Sequence, residues 1–107
     1  MNEILEITDK SELEKPLNSK KAVVMLFRSN YALPCKLQSK LLCEMQSETS
    51  GKFKIVKIDV DENSKLAEGY DITVVPTVVV VKDKKTVARI EGLTSKGAIA
   101  EILIKYL

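Results

Sequence analysis

AVVMLFRSNYALPCKLQSKLL, residues 22–42, decides the fold. Its first six residues form a continuous apolar run of strand length, which predicts a strand buried on both faces of a partly parallel sheet. Residues 28–33 read as a loop. Beyond it, Leu37, Leu41, Leu42 and Met45 recur at helical spacing, Pro34 suits a first-turn position, and Gly51 can stop the helix. A proline and a cysteine, Pro34 and Cys35, therefore open a long helix directly after a central strand, and no second thiol stands beside them.

The rest of the chain alternates in the same way. Before the central run, residues 4–7 predict a short strand. Thr8 or Ser11 can cap a first helix, with Ser11 and Glu14 spaced as a capping box and Pro16 ending the helix early. After it come a strand at 53–59, a short helix around 63–70, and the run Thr77-Val78-Val79-Val80-Val81, a second strand buried on both sides. Asp83-Lys84-Lys85 predicts a turn, and residues 86–91 alternate as a hairpin partner. Ser95 caps a closing helix whose inner face carries Ile99, Ile102, Leu103 and either Tyr106 or Leu107. The expected order is β-α-β-α-β-α-β-β-α, an α/β fold without repeats or linkers.

Composition narrows the function. A chain of 107 residues, 45% hydrophobic and 30% charged, predicts one domain spanning residues 1–107 with a modest core. Seventeen Lys and Arg stand against 15 Asp and Glu, and the signs interleave along the chain, which argues against nucleic acid as a partner. No apolar run reaches the ~18 residues of a membrane span, and the charged N-terminus lacks the apolar stretch of a signal peptide. A cytoplasmic protein with no membrane contact is expected. With no histidine, Cys-His and Ser-His-Asp catalysis and most zinc sites are excluded, and no metal site is expected. Thiol chemistry or binding remains.

Cys43 cannot serve as partner to Cys35. In a continuous helix the two lie eight residues apart, roughly 12 Å along the axis at about 1.5 Å per residue, beyond the ~7 Å Cα limit for a disulfide. Both are expected to be thiols. Each residue also has a plainer reading: Cys35 as a small buried hydrophobe, Cys43 as structural, Lys57 as a snorkelling surface lysine, Pro76 as an ordinary turn proline.

Over nearly its whole length the chain resembles the thioredoxin family. Tyr31-Ala32-Leu33-Pro34-Cys35-Lys36 stands where the family has Trp-Cys-Gly-Pro-Cys-Lys, and Lys57-Ile58-Asp59-Val60-Asp61 follows on the third strand. Val74-Val75-Pro76-Thr77 is similar to the family's cis-proline loop, and Gly92 with Ser95-Lys96-Gly97 to the entry of its last helix. The resemblance implies a thioredoxin fold: a central mixed sheet of about five strands flanked by about four helices.

The resemblance also implies a site. Cys35 takes the place of the family's second, resolving cysteine, while Ala32 occupies the place of the attacking one; Pro34 and Lys57 complete the catalytic positions. Tyr31, Leu33, Val75, Pro76, Thr77, Gly92 and Leu93 take the positions that hold an extended partner segment. Several positions depart from the family: Leu26 replaces a buried aspartate and so removes the partner of Lys57, Arg28 and Tyr31 replace tryptophans, and Lys40 replaces a kinking proline. A helix N-terminus stabilises a thiolate most at its first position, which is Ala32. Without an attacking thiol, a dithiol–disulfide cycle cannot run within the chain.

Two readings of Ala32 follow. Either it stands in place of a cysteine, making the chain an impaired variant of a protein-disulfide reductase that serves cell redox homeostasis, or the chain is a redox-inactive module that binds extended segments at Val75-Pro76. The expected partners are disulfide-containing proteins and a thioredoxin reductase, with the chain a monomer. No cofactor is expected: an iron–sulfur cluster of the kind held by single-cysteine glutaredoxins uses the first cysteine of the motif, which is absent here.

Overall fold

The computed structural model describes residues 4–7 and 9–107. Five strands, β1 (Ile4–Ile7), β2 (Ala22–Arg28), β3 (Phe53–Asp59), β4 (Thr77–Lys82) and β5 (Lys85–Glu91), form one mixed sheet in the order β1-β3-β2-β4-β5. Around it lie α1 (Glu14–Leu17), preceded by a 3-10 turn at Lys10–Leu13, then α2 (Leu33–Glu48), α3 (Ser64–Gly69) and α4 (Lys96–Leu103). This is the thioredoxin fold expected from the sequence. β1 and β2 both run parallel to β3, whereas β4 lies antiparallel to β2 and β5 antiparallel to β4.

The apolar run at 22–27 becomes β2, the middle strand, because no residue in it needs water. Ala22, Val24 and Leu26 face one core with Leu42, Ile55, Val78 and Ile99; Val23, Met25 and Phe27 face the other with Ile7, Leu13, Val56 and Ile58. Burying each such large side chain contributes on the order of 1.5–3 kcal/mol. The same logic places the valines of β4 beside it, with Val24 opposite Val80 and Leu26 opposite Val78. On the second face Tyr70 packs its ring against Phe27 at 5.4 Å between centroids, and burial pushes its phenol pKa up.

Several local expectations are corrected. The first turn is capped by Asp9, whose carboxylate accepts from the Ser11 N–H at 3.1 Å, so the box between Ser11 and Glu14 does not form; the alternative cap, Thr8, lies outside the described residues. Pro16 does not end the helix before it, because it sits in the first turn of α1, where its missing N–H costs nothing. Leu37 is 48% exposed, since the inner stripe of α2 runs through Cys35, Gln38, Leu42, Met45 and Gln46. At the C-terminus Tyr106 packs on the core, and Leu107 is exposed.

Two chain reversals set the ends of the sheet. Asp83 and Lys84, at φ 52° and 65°, make the two-residue left-handed turn that matches the twist of a hairpin, with Lys82 opposite Lys85. After α2, Ser50 and Gly51 at φ 56° and 71° turn the chain, and the Gly51 N–H donates to the Gln46 carbonyl at 2.9 Å. α2 is otherwise unbroken over 16 residues, as Lys40 in place of a proline predicts.

Candidate functional site at the start of α2

Three neighbouring strands deliver three loops to one end of the sheet. β2 ends at Arg28 and leads into α2, β4 begins at Thr77 opposite Phe27, and β5 ends at Glu91 opposite Thr77. The loops 29–32, 71–76 and 92–95 therefore emerge side by side and bring together Tyr31, Ala32, Leu33, Val75, Pro76, Gly92 and Leu93. Hydrogen bonds lock the last two loops to each other and to β4: the Gly92 N–H donates to the Pro76 carbonyl at 2.8 Å, and the Thr77 hydroxyl donates to the Val74 carbonyl at 2.7 Å. Gly92 takes φ 83°, a left-handed conformation suited to glycine. The Val75-Pro76 bond is cis, and Pro76 and Thr77 are buried.

The exposed rim of this end is apolar. Tyr31 is 93% exposed, and Leu33, Val74 and Leu93 stand open beside it. Val75 is half-buried, and among the described residues neither its N–H nor its C=O has a partner. An unused donor and acceptor on an extended residue can pair with another extended chain as one further strand.

Ala32 is the residue before α2, extended at φ −108° and ψ 110°, and no side chain caps the helix there. Leu33 and Pro34 are the first helical residues and are exposed, whereas Cys35 is turned inward at 1% exposure. Its N–H donates to the Ala32 carbonyl at 3.0 Å. Cys35 and Cys43 are both free thiols, as their spacing requires. A thiolate placed at the helix start would meet the positive end of the helix dipole, but alanine offers none.

Behind the helix start, Cys35 and Lys57 line one cleft of about 230 Å³ together with Arg28, Ser29, Lys36 and Ser39. Leu26 lies directly opposite Lys57 in the β2–β3 ladder and is fully buried. Lys57 accordingly has no carboxylate partner among the described residues. A larger cleft, about 620 Å³, lies between the 3-10 turn and α3 and contains no thiol. Among the described residues no group of His, Cys, Asp or Glu could hold a metal ion.

Two polar residues, Gln38 and Asp59, hold this end in shape. Gln38, fully buried on α2, accepts from the Thr94 N–H at 2.8 Å and donates to the Thr94 carbonyl at 3.3 Å, fastening the loop that carries Leu93. Asp59, at the end of β3, accepts from the N–H groups of Asp61 and Glu62 and from the Asn30 side chain at 2.9–3.3 Å. The Ser29 hydroxyl donates to Asp61, and the Val60 N–H to the Arg28 carbonyl, so the loop before α2 is tied down along its length. Gln38 is polar at a position where helical spacing looks for an apolar residue, so only its hydrogen bonds identify it, whereas Asp59 belongs to the stretch 57–61 that carries the family resemblance.

Comparison with known proteins agrees with the geometry. Residues 4–105 match the family model described as Thioredoxin. A thioredoxin of Staphylococcus epidermidis is 35% identical over 104 residues, covering 97% of this chain and 98% of that protein. One from Staphylococcus aureus is 37% identical over 81 residues, 76% of this chain and 78% of that one. Among solved structures, a mutant thioredoxin from Halobacterium salinarum superposes with a TM-score of 0.89 at 27% identity, over 97% of this chain and 90% of that chain. Fasciola hepatica thioredoxin gives 0.87 at 26% identity, over 96% and 99%.

Proposed function

The chain belongs to the thioredoxin family, whose members carry out thiol–disulfide exchange, and we propose that it is a thioredoxin-type protein stopped at the attacking step while its groove for partner segments is kept. One observation carries this reading: Cys35 is buried in the first turn of α2, and the residue ahead of it that would supply the attacking thiolate is Ala32. In exchange, one thiolate attacks a sulfur of the target disulfide to form a mixed disulfide, and a second thiolate then displaces the reduced target. Cys35 is positioned for the second displacement only.

The parent activity in this reading is reduction of protein disulfides in the cytoplasm by a monomer that a thioredoxin reductase regenerates. Tyr31, Leu33, Leu93 and Gly92 form the rim of the groove, Val75 supplies the backbone pair, and Pro76 and Thr77 fix its shape. Lys57 lies behind Cys35 as the cation of the site. The family uses no cofactor for this chemistry beyond its own thiols.

A second reading, a redox-inactive binding module, draws support from Leu26. Its side chain is fully packed among Leu42, Val78 and Ile99, an adaptation of the core beyond the loss of one thiol. Both readings require the groove. An extended peptide with its cysteines alkylated should bind the protein without turnover, and Val75→Asp should weaken that binding by about tenfold, which corresponds to roughly 1.4 kcal/mol. Equal binding by the parent and Val75→Asp would rule out the groove.

A further inference from the structure

Charges that interleave along the chain separate in the fold. Lys20 and Lys21 precede β2, Lys52 precedes β3, Lys84 lies in the β4–β5 turn, Lys85 opens β5, and Lys105 follows α4. These six are exposed and crowd the end of the sheet opposite the thiol. A seventh, Lys82, stands among them half-buried. Two contacts knit the group together: the Lys21 ammonium donates to the Gly51 carbonyl at 3.1 Å, and that of Lys82 to the Lys20 carbonyl. Lys82, Lys85 and Lys105 also line one cleft of about 430 Å³ with Tyr106 and Leu107.

These cations are left uncompensated. Among the described residues none of the seven lysines is in an ion pair, and Asp83 is the acidic residue within the turn. Both arginines lie elsewhere and are paired, Arg28 with Glu6 and Arg89 with Glu91. Asp59, Asp61, Glu62 and Glu91 gather at or just beyond the strand ends that carry the thiol loop. A net charge of only +2 thus conceals a lysine-rich pole, whereas at the thiol end these acids stand among Arg28, Lys36 and Lys57.

We propose that the basic pole is a docking surface for an anionic lipid bilayer, holding the chain with its groove turned to solution. The chemistry of the pole selects this occupant. All seven cations are lysines, which act as point charges toward diffuse negative charge rather than as planar forks for bidentate recognition. Among the described residues the pole shows no exposed aromatic ring on which a nucleic-acid base could stack. It does show apolar side chains beside its cations: Ile104 is 75% exposed and Leu107 is also open, flanking Lys105. Lysines with adjoining exposed aliphatics fit the headgroup layer, where the cations meet anionic lipids and the aliphatics enter the acyl boundary. The attachment is peripheral, since among the described residues no helix is long and apolar enough to cross a membrane.

The test is sedimentation of the intact chain with vesicles of phosphatidylcholine alone, and with vesicles of phosphatidylcholine and phosphatidylglycerol in equal shares. Binding is expected only to the anionic vesicles, and it should weaken as salt shortens the range of the lysine charges. A variant carrying Lys20→Glu, Lys52→Glu, Lys85→Glu and Lys105→Glu changes side chains with no hydrogen bond of their own. Its fold is checked by circular dichroism, and it should leave the vesicles, each lysine removed costing roughly fivefold in partitioning. A charge-preserving Ile104→Ser should bind more weakly than the parent. Equal binding to both vesicle types, or retention of the folded charge-reversed variant, overturns the proposal. So does selective binding to a DNA duplex or an acidic polypeptide with none to anionic vesicles.

Discussion

Gln38 and Thr94, 56 positions apart in sequence, are joined by a pair of hydrogen bonds in which one buried side-chain amide satisfies both backbone groups of a loop residue. The pair fastens the helix that starts at the thiol to the loop that carries Leu93, on the other side of the groove. Replacing Gln38 with leucine keeps the volume and leaves the Thr94 N–H and C=O without partners. The expected loss is about 2 kcal/mol, two hydrogen bonds at a net ~1 kcal/mol each, because Thr94 is half-buried. Denaturant unfolding should show it, and hydrogen exchange at the Thr94 amide should accelerate. An unchanged exchange rate there would mean the pair does not hold the loop.

The two thiols should differ in reactivity. Cys35 is almost fully buried and Cys43 is half-buried, so in the folded protein Cys43 reacts first with an alkylating reagent and Cys35 lags. In denaturant the two rates should converge. Mass spectrometry of timed samples separates the sites, and early modification of Cys35 in the folded chain would contradict its inward placement.

Lys57 gives a prediction of unusual sign. It is half-buried opposite the aliphatic Leu26 and lacks a carboxylate partner among the described residues, so its charge is incompletely compensated. Lys57→Met should fold with a stability equal to or above that of the parent, within about 1 kcal/mol. A loss of more than about 2 kcal/mol by urea unfolding would reveal a partner for the ammonium.

The rim of the groove should bind without stabilising. Tyr31 and Leu33 are exposed and bury little of themselves in the fold, so Tyr31→Ser and Leu33→Ser should each shift stability by less than about 0.5 kcal/mol. Each should nonetheless weaken capture of an extended peptide by about tenfold, the value of burying a large apolar side chain in part. Isothermal titration with an alkylated peptide measures the second effect. Loss of stability together with unchanged binding would reverse their assigned role.

Much of this is legible in the sequence because the apolar runs of β2 and β4 need burial on both faces, which places them centrally, and because Pro34 and Cys35 mark a helix start behind them. Helical spacing misplaces the inner face of α2 at Leu37, since Gln38 and Gln46 take core positions by bonding to backbone that lies far away or in the next strand: Thr94 for the first, the Phe53 carbonyl for the second. A pattern of apolar and polar residues cannot anticipate a polar side chain that finds its partner only in the fold. The basic pole is hidden for a related reason. Lys20, Lys52, Lys85 and Lys105 belong to four separate segments, each with acids nearby in sequence, and only the sheet register and the end of α4 bring them together.

The most direct test concerns Ala32. If the site is complete except for its attacking thiol, Ala32→Cys places a thiol at the start of α2 one turn before Cys35, and the protein should then reduce insulin disulfides with a small dithiol as electron source, while the parent remains at the rate of the reductant alone. Turnover by the unaltered parent, or no gain in a folded Ala32→Cys protein, would contradict the claim that the chain stops only at the attacking step.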